Sequence, residues 1–308
     1  MKHIIDKLSV PKVLLRYIMM NFTNIDTIKN LILNVKSMNV LDMHSKDILE
    51  KAQKGFNWNC HNGHLAVAKW LYYIDRVDIH AKNEDAFIYS CLNGHLAVAQ
   101  WIYVLGQVNI HAKNEDAFRY SCQNGHLAVA QWLYSLDGVD IHADNESAFI
   151  YSCKNGHLAV AQWLLGLGTT CSHPTCPGTR CVLGQIDIHV VNEYAFRYSC
   201  QRNHLPVAKW LYSLGQVDIH TGCEDAFRCS CENGHLAVAK WLYSLGQVDI
   251  HADNEYAFRY SCQNGHLAVA KWLYSLGQID IHADNKYAFR YSPKSVINWL
   301  NRIRKIDY

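Results

Sequence analysis

The sequence carries almost no net charge. Its 29 Lys and Arg against 27 Asp and Glu leave +2 over 308 residues. A nucleic-acid partner calls for a clear basic excess, so none is expected. Long runs of one charge and low-complexity tails are missing too. So is any long apolar run. The stretch VPKVLLRYIMMNF from Val10 is broken by Lys12 and Arg16 and is too short to span a bilayer, so no membrane contact is expected. It has no small-residue cleavage site, and no signal peptide is expected. Twelve cysteines in a chain of this length do not make a small disulfide scaffold. Without a secretion signal the expected setting is intracellular, with free thiols. No phosphate-binding loop, nucleophile elbow or metalloprotease helix occurs, so no enzyme activity is expected.

What the chain has is repetition. A His-Leu pair recurs at His64, His95, His126, His157, His204, His235 and His266. Five of the six intervals are 31 residues, and the remaining one is 47, longer by a 16-residue insertion. A second histidine series follows the same intervals at His80, His111, His142, His189, His220, His251 and His282. Tryptophan (Trp70 to Trp272) and cysteine (Cys60 to Cys262) keep the same register. Four residue types in one register define a tandem array.

Within a repeat the periodicity is helical twice. Leu267, Ala270, Leu273 and Leu276, with Val269 and Trp272, draw one apolar stripe that ends at Gly277, a left-handed C-cap. A shorter helix is predicted over Tyr256–Gln263, followed by the Asn264-Gly265 turn. GQVDIHADNEY between repeats suits an extended, hairpin-like finger. Neither helix can bury its apolar face alone, so neighbouring repeats must stack.

The wording NGHLAVAKWLYSLG followed by VDIHADN resembles the ankyrin repeat, over Lys51 to Tyr291. The resemblance implies an all-α solenoid, single and elongated, that binds a protein partner through fingers and first helices. Two features depart from the family: the period of 31, against about 33, and Asp-Ala-Phe-Arg or Tyr-Ala-Phe-Arg in place of Thr-Pro-Leu-His. Asp85, Asp116, Asp225 and Ser147 can supply the N-cap oxygen. Tyr194, Tyr256 and Tyr287 cannot, which leaves Asn192, Asn254 or Asn285 to do so. NEYAFRYS looks most like the ankyrin arrays of giant amoeba-infecting DNA viruses, implying the cytoplasm of the host cell.

The ladders invite a metal reading that spacing opposes. Stacked helices lie about 8–10 Å apart, whereas two zinc ligands sit about 2.0–2.1 Å from one ion. Disulfides fail likewise, since they need α-carbons within about 7 Å. Histidine and cysteine are therefore read as structural, and no catalytic residue is assigned. Recognition would be written where repeats differ. The finger tips vary: Lys82, Lys113, Asp144, Val191, Gly222, Asp253 and Asp284. So does a position placed just before each first helix, where Arg119, Arg197, Arg228, Arg259 and Arg290 alternate with Ile88 and Ile150.

The repetition breaks in three places. The insertion 169–184 holds Cys171, His173, Cys176 and Cys181 among the turn formers Pro174, Pro177 and Gly178, a zinc-type ligand set in a compact loop. Residues 1–50 read as a helical cap for the array or as a degenerate F-box. Pro11, Leu14, Leu15, Ile18, Phe22, Asp26, Leu31, Val35 and Lys36 resemble that second family, though Val13 replaces its glutamate and Lys36-Ser37-Met38 its later motif. An F-box implies that Leu14, Leu15 and Ile18 hold a Skp-type adaptor of a cullin ubiquitin ligase. Residues 292–308 read as a closing cap, a shortened second helix with Val296, Trp299, Leu300 and Ile303 on one face. The expected protein is a monomeric interaction scaffold, with no cofactor besides zinc at the insertion. Purified protein should hold zinc by elemental analysis at neutral pH and lose it in Cys176→Ser; metal-free wild type rules the site out.

Overall fold

The computed structural model describes residues 46–74, 77–136, 138–167, 186–246 and 248–304. Among these residues there are sixteen helices and no strand. Two compact bodies divide the chain: Met1–Ser121 with Ala128–Val139, and Cys122–Leu127 with Asp140–Tyr308. The helices of the first are α1 (Lys46–His61), α2 (Leu65–Ile74), α3 (Ala81–Leu92) and α4 (Leu96–Leu105), with most of α5 (Ala112–Gln123) and α6 (Leu127–Ser135). The second holds α7 (Ala143–Lys154), α8 (Leu158–Leu167), α9 (Val190–Gln201), α10 (Leu205–Ser213), α11 (Thr221–Glu232) and α12 (Leu236–Ser244). It ends with α13 (Ala252–Gln263), α14 (Leu267–Ser275), α15 (Ala283–Tyr291) and α16 (Lys294–Arg304). First helices pack on first helices of the next repeat, α7 on α9, α9 on α11, α11 on α13 and α13 on α15, and each also packs on its own second helix.

One repeat shows how the residues dictate this path. Asp253, Asn254 and Glu255 are left-handed, at φ 54°, 56° and 62°, and regular helix begins at Tyr256, the predicted start. The Glu255 N–H closes the turn on the His251 carbonyl at 3.1 Å. The finger is therefore not the extended hairpin its sequence suggested. Three left-handed residues fold it back within one turn, a conformation that Asn and Asp tolerate better than most residues. Gly265 (φ +79°) turns the chain into α14, and Gly277 (φ +92°) ends that helix as predicted.

The expected helix caps have other roles. Asp85 accepts from Lys113 Nζ at 2.7 Å, Asp116 from Arg119 at 2.6 Å, and Asp225 pairs with Arg197. Asn192 and Asn254 act through their backbone: their carbonyls accept from Nε of Arg197 and Arg259, both at 2.7 Å.

The core repeats with the chain. Phe56, Phe87, Phe149, Phe196, Phe227 and Phe258 are fully buried on the first helices. Each meets the tryptophan of the following repeat, as in Phe196–Trp241 and Phe227–Trp272, with ring centroids 6.2 Å apart. A tyrosine of the preceding second helix meets the same tryptophan edge-on, Tyr212 on Trp241 at 5.9 Å and Tyr243 on Trp272 at 5.8 Å. Truncating such a phenylalanine to alanine typically costs about 3–5 kcal/mol. The ladder cysteines sit beside these rings as small buried groups. Burial pushes the Cys60 thiol up to about 12 and those of Cys91, Cys153, Cys200 and Cys231 higher, so all stay protonated.

At the C-terminal end, α16 takes the place of a second helix. It is eleven residues long rather than shortened, and buries Val296, Leu300 and Ile303. Trp299 restores the aromatic joint with Phe258 at 6.3 Å and Tyr274 at 5.9 Å, which is why the helix extends.

The Gly-His pair staples repeats together. The imidazoles of His95, His157, His204 and His266 lie over the glycine of the repeat before, Gly63, Gly125, Gly156 and Gly234. A β-carbon on Gly156 would meet His204 Nδ1 at 2.4 Å, and one on Gly234 would meet His266 Nδ1 at 2.5 Å. Gly246 has a similar backbone (φ +87°) with open space around it. Gly246→Ala therefore suffers only backbone strain, about 1–3 kcal/mol, while Gly156→Ala adds displacement of the His204 ring. Urea denaturation followed by circular dichroism should show the larger loss in Gly156→Ala; equal losses would mean that the ring contact contributes nothing.

Candidate interaction surface

The first helices and fingers carry the residues singled out by their variation, and the structure ties many of them to one another. The arginines lie inside the first helices, not before them: Arg259 is four residues into the regular part of α13. From there Arg259 reaches Asp284 at the next finger tip, at 2.5 Å, and its Nη2 donates to the Asp253 carbonyl at 3.1 Å. Arg228 repeats the arrangement with Asp253 at 3.1 Å and stacks over the Tyr256 ring at 4.1 Å. Where the tip is Gly222 and offers no carboxylate, Arg197 takes Asp225 instead. Where the preceding helix carries Ile88, the tip Lys113 turns to Asp85. Lys82, Asp144 and Arg290 are exposed.

A glutamate series that sequence reasoning did not single out holds the turns in place. Glu84, Glu115, Glu146, Glu193, Glu224 and Glu255 are buried at 5–8 % exposure, each with its Oε1 at 2.6–2.8 Å from Nδ1 of the histidine four residues earlier. The same oxygen of Glu84 accepts the Asn109 N–H of the next repeat at 3.2 Å, and that of Glu255 accepts the Asp280 N–H at 3.2 Å. The signal was legible, because these glutamates follow the second histidine series at a constant offset of four. The last repeat breaks it: Lys286 stands in the glutamate position, and the His282 ring stacks on Phe289 at 5.4 Å.

A tyrosine register was also missed. Tyr89, Tyr120, Tyr151, Tyr198, Tyr260 and Tyr291 each stand two residues before the ladder cysteine or its equivalent, and Tyr89 and Tyr291 are strongly exposed. Lys154 Nζ lies over the Tyr198 ring at 4.4 Å and donates to the Tyr194 hydroxyl at 3.2 Å. Tyr256 donates to Glu232 at 3.0 Å; burial first, and then that carboxylate, pushes its phenol well above the usual range. Cys229 replaces the tyrosine in one repeat. Burial, then the Asp225 charge, raise its thiol to about 12, so it is no nucleophile at neutral pH.

Among the described residues no three His, Cys, Asp or Glu side chains converge as a metal site would require. The zinc-type set Cys171, His173, Cys176 and Cys181, and the adaptor residues Leu14, Leu15 and Ile18, lie outside the described residues. Among the described residues no helix is long and apolar enough to cross a membrane.

These features define the class: an all-α repeat protein, each repeat a left-handed finger turn and two short antiparallel helices joined by Asn-Gly or its equivalent. Two stretches match ankyrin repeats: residues 185–285 match ankyrin repeats (three copies) and residues 116–165 match ankyrin repeats (many copies). Solved structures with similar folds include the human ASB11 ankyrin repeat domain, 16 % identical at a TM-score of 0.49, covering 72 % of this chain and 97 % of that one. Another is a chain from the Bd0816 predatory endopeptidase of Bdellovibrio bacteriovorus in complex with immunity protein Bd3460, 19 % identical at a TM-score of 0.43, covering 62 % and 97 %. No curated protein matches the sequence.

The Gly-His histidines set a pH response. Burial lowers the pKa of His157, His204 and His235 below 6.5. The neighbouring His126 lowers His157 further, against a hydrogen bond to the Gln123 carbonyl. His235 Nε2 lies 2.9 Å from the Gln201 carbonyl and donates to it. With pKa values depressed by folding, the unfolded chain binds more protons as the pH falls below about 6.5. Folding is then stabilised above that pH and weakened as the pH falls through the folded pKa values. The melting temperature should drop between pH 7 and 5.5 in wild type, and drop less in the triple variant His157→Gln, His204→Gln, His235→Gln. Parallel curves would remove these histidines as the cause.

Proposed function

We propose that this chain is a non-enzymatic scaffold that binds a partner protein across its first helices and finger tips. Ankyrin repeats are typically interaction modules, and two matched segments support that class here. The observation that carries the finer reading is the tyrosine register. The first helices α7, α9 and α13 present Tyr151, Tyr198 and Tyr260 at one position, beside Lys154, Arg197 and Arg259, with Cys229 at that position in α11 between them. Tyrosine and arginine are the residues that most often dominate binding energy at protein interfaces, because they bury large area at low entropic cost. In the second body the tips Asp144, Asp253 and Asp284, with Arg228 and Arg290, form the charged border of that surface; in the first body Lys82, Lys113 and Arg119 are the equivalent residues. The arginine–aspartate pairs hold the border rigid, which lowers the ordering cost of binding. The wording NEYAFRYS, which resembles the arrays of giant viruses, supports a working place in the cytoplasm of a host cell. If residues 1–50 act as an F-box, the scaffold presents its partner to a Skp-type adaptor through Leu14, Leu15 and Ile18.

Affinity capture with mass spectrometry, on the full chain and on a chain lacking residues 1–50, separates these readings. A partner retained by both belongs to the repeats, and an adaptor lost with residues 1–50 belongs to the F-box. Tyr151→Ala with Tyr260→Ala should weaken the retained partner by several hundredfold, from about 2 kcal/mol for each interface tyrosine. Undiminished binding by the double variant, with its helical content intact, would place the partner elsewhere.

A further inference from the structure

The second helices of the later repeats carry a charge pattern that neither the fold nor the first-helix surface uses. α10, α12 and α14 read LPVAKWLYS, LAVAKWLYS and LAVAKWLYS, so each has a single charged side chain, Lys209, Lys240 or Lys271. All three lysines are exposed, and none forms an ion pair with another described residue. They occupy one register, directly before the tryptophans that lock each repeat onto the last. In α4, α6 and α8 the same register holds Gln100, Gln131 and Gln162, so the fold does not require a cation there. α16 has Asn298 at that register but adds exposed Lys294, Arg302 and Arg304, with no acidic residue. The chain as a whole is nearly neutral, yet these four helices of the second body carry six cations without one carboxylate.

We propose that the face of α10, α12 and α14 binds an extended acidic peptide segment with a carboxylate at every third position. The geometry selects this partner. Helices packed side by side are about 8–10 Å apart, and Tyr212–Trp241 and Tyr243–Trp272 show these helices to be in side-chain contact. An extended chain in the polyproline II conformation rises about 3.1 Å per residue with three residues per turn, so every third side chain returns to the same face after about 9 Å and brings one carboxylate to each lysine. Half-exposed Tyr212 and Tyr243 stand one helical turn beyond Lys209 and Lys240, offering a ring and a hydroxyl to the peptide between its acids. Three isolated lysines release too few counterions for a tight grip on nucleic acid, which disfavours that alternative. This surface lies on different helices from the proposed first-helix surface and stands or falls separately.

The test uses the full chain and a fluorescein-labelled twelve-residue peptide with glutamate at every third position, followed by anisotropy at low salt. A peptide of the same composition with its glutamates clustered, and a single-stranded oligonucleotide of equal charge, serve as competitors. The spaced peptide should bind, weaken with salt, and lose about tenfold in Lys209→Gln, Lys240→Gln, Lys271→Gln, from three exposed charge pairs. Glutamine is the chain's own choice at this register in α4, α6 and α8, so the variant should keep its melting curve. Equal binding by the triple variant would overturn the proposal. Equal binding of the clustered peptide would overturn the spacing argument, and tighter binding of the oligonucleotide would replace the peptide with a nucleic acid.

Discussion

A buried carboxylate governs the path of this chain. In every finger but the last a glutamate at 5–8 % exposure accepts from the imidazole four residues earlier, and in four fingers its oxygen also accepts an N–H from the next repeat. A carboxylate out of water is costly unless hydrogen bonds replace its solvent. Those bonds form only when the finger adopts its left-handed turn and the next repeat is in register. The glutamate therefore couples local conformation to stacking. Left-handed backbone at Lys82, or at β-branched Val191 (φ 54°), is unfavourable by itself and persists because the surrounding contacts determine it.

Once the turn is set, the remaining contacts between repeats follow. The first helix begins with its phenylalanine facing the next tryptophan, and the Asn-Gly turn places an imidazole over the glycine that has no β-carbon to obstruct it. The left-handed finger turn exposes two carbonyls, to which Arg197 and Arg259 donate before reaching an aspartate of the following repeat. Variation among the repeats thus has an internal logic. Arginine faces an acidic tip, an isoleucine precedes the repeats with Lys113 and Val191 at the tip, and Gly222 is compensated by Asp225. Much of what looks like a recognition code is cohesion between neighbours. The tyrosine register on the first helices and the lysine register on the second are what remain for partners.

The helices were legible because their causes are local. The apolar stripe through Leu267, Ala270 and Leu273 states its own period, the start at Tyr256 follows from the polar residues before it, and Gly277 marks the end. The finger was not legible, because VDIHADN alternates like a strand and no residue within it requires positive φ. Its turn depends on a hydrogen bond from the following repeat. The helix caps were misread for a related reason. Asp85 and Asp225 have the chemistry of caps, but a cation from a neighbouring repeat competes for each of them.

By itself the sequence determined the period, the order of the two helices, the buried phenylalanine and cysteine positions and the closing helix. These depend on patterns within one repeat and on the need of an apolar stripe to find cover. Only the tertiary structure decided which polar groups meet. Lys113 finds Asp85 28 residues away, Tyr256 finds Glu232 24 residues away, and Arg259 finds Asp284 25 residues away. Such pairings depend on how one repeat is rotated and shifted against the next. Close packing of the aromatic joints sets that relation, and residue spacing along the chain does not express it.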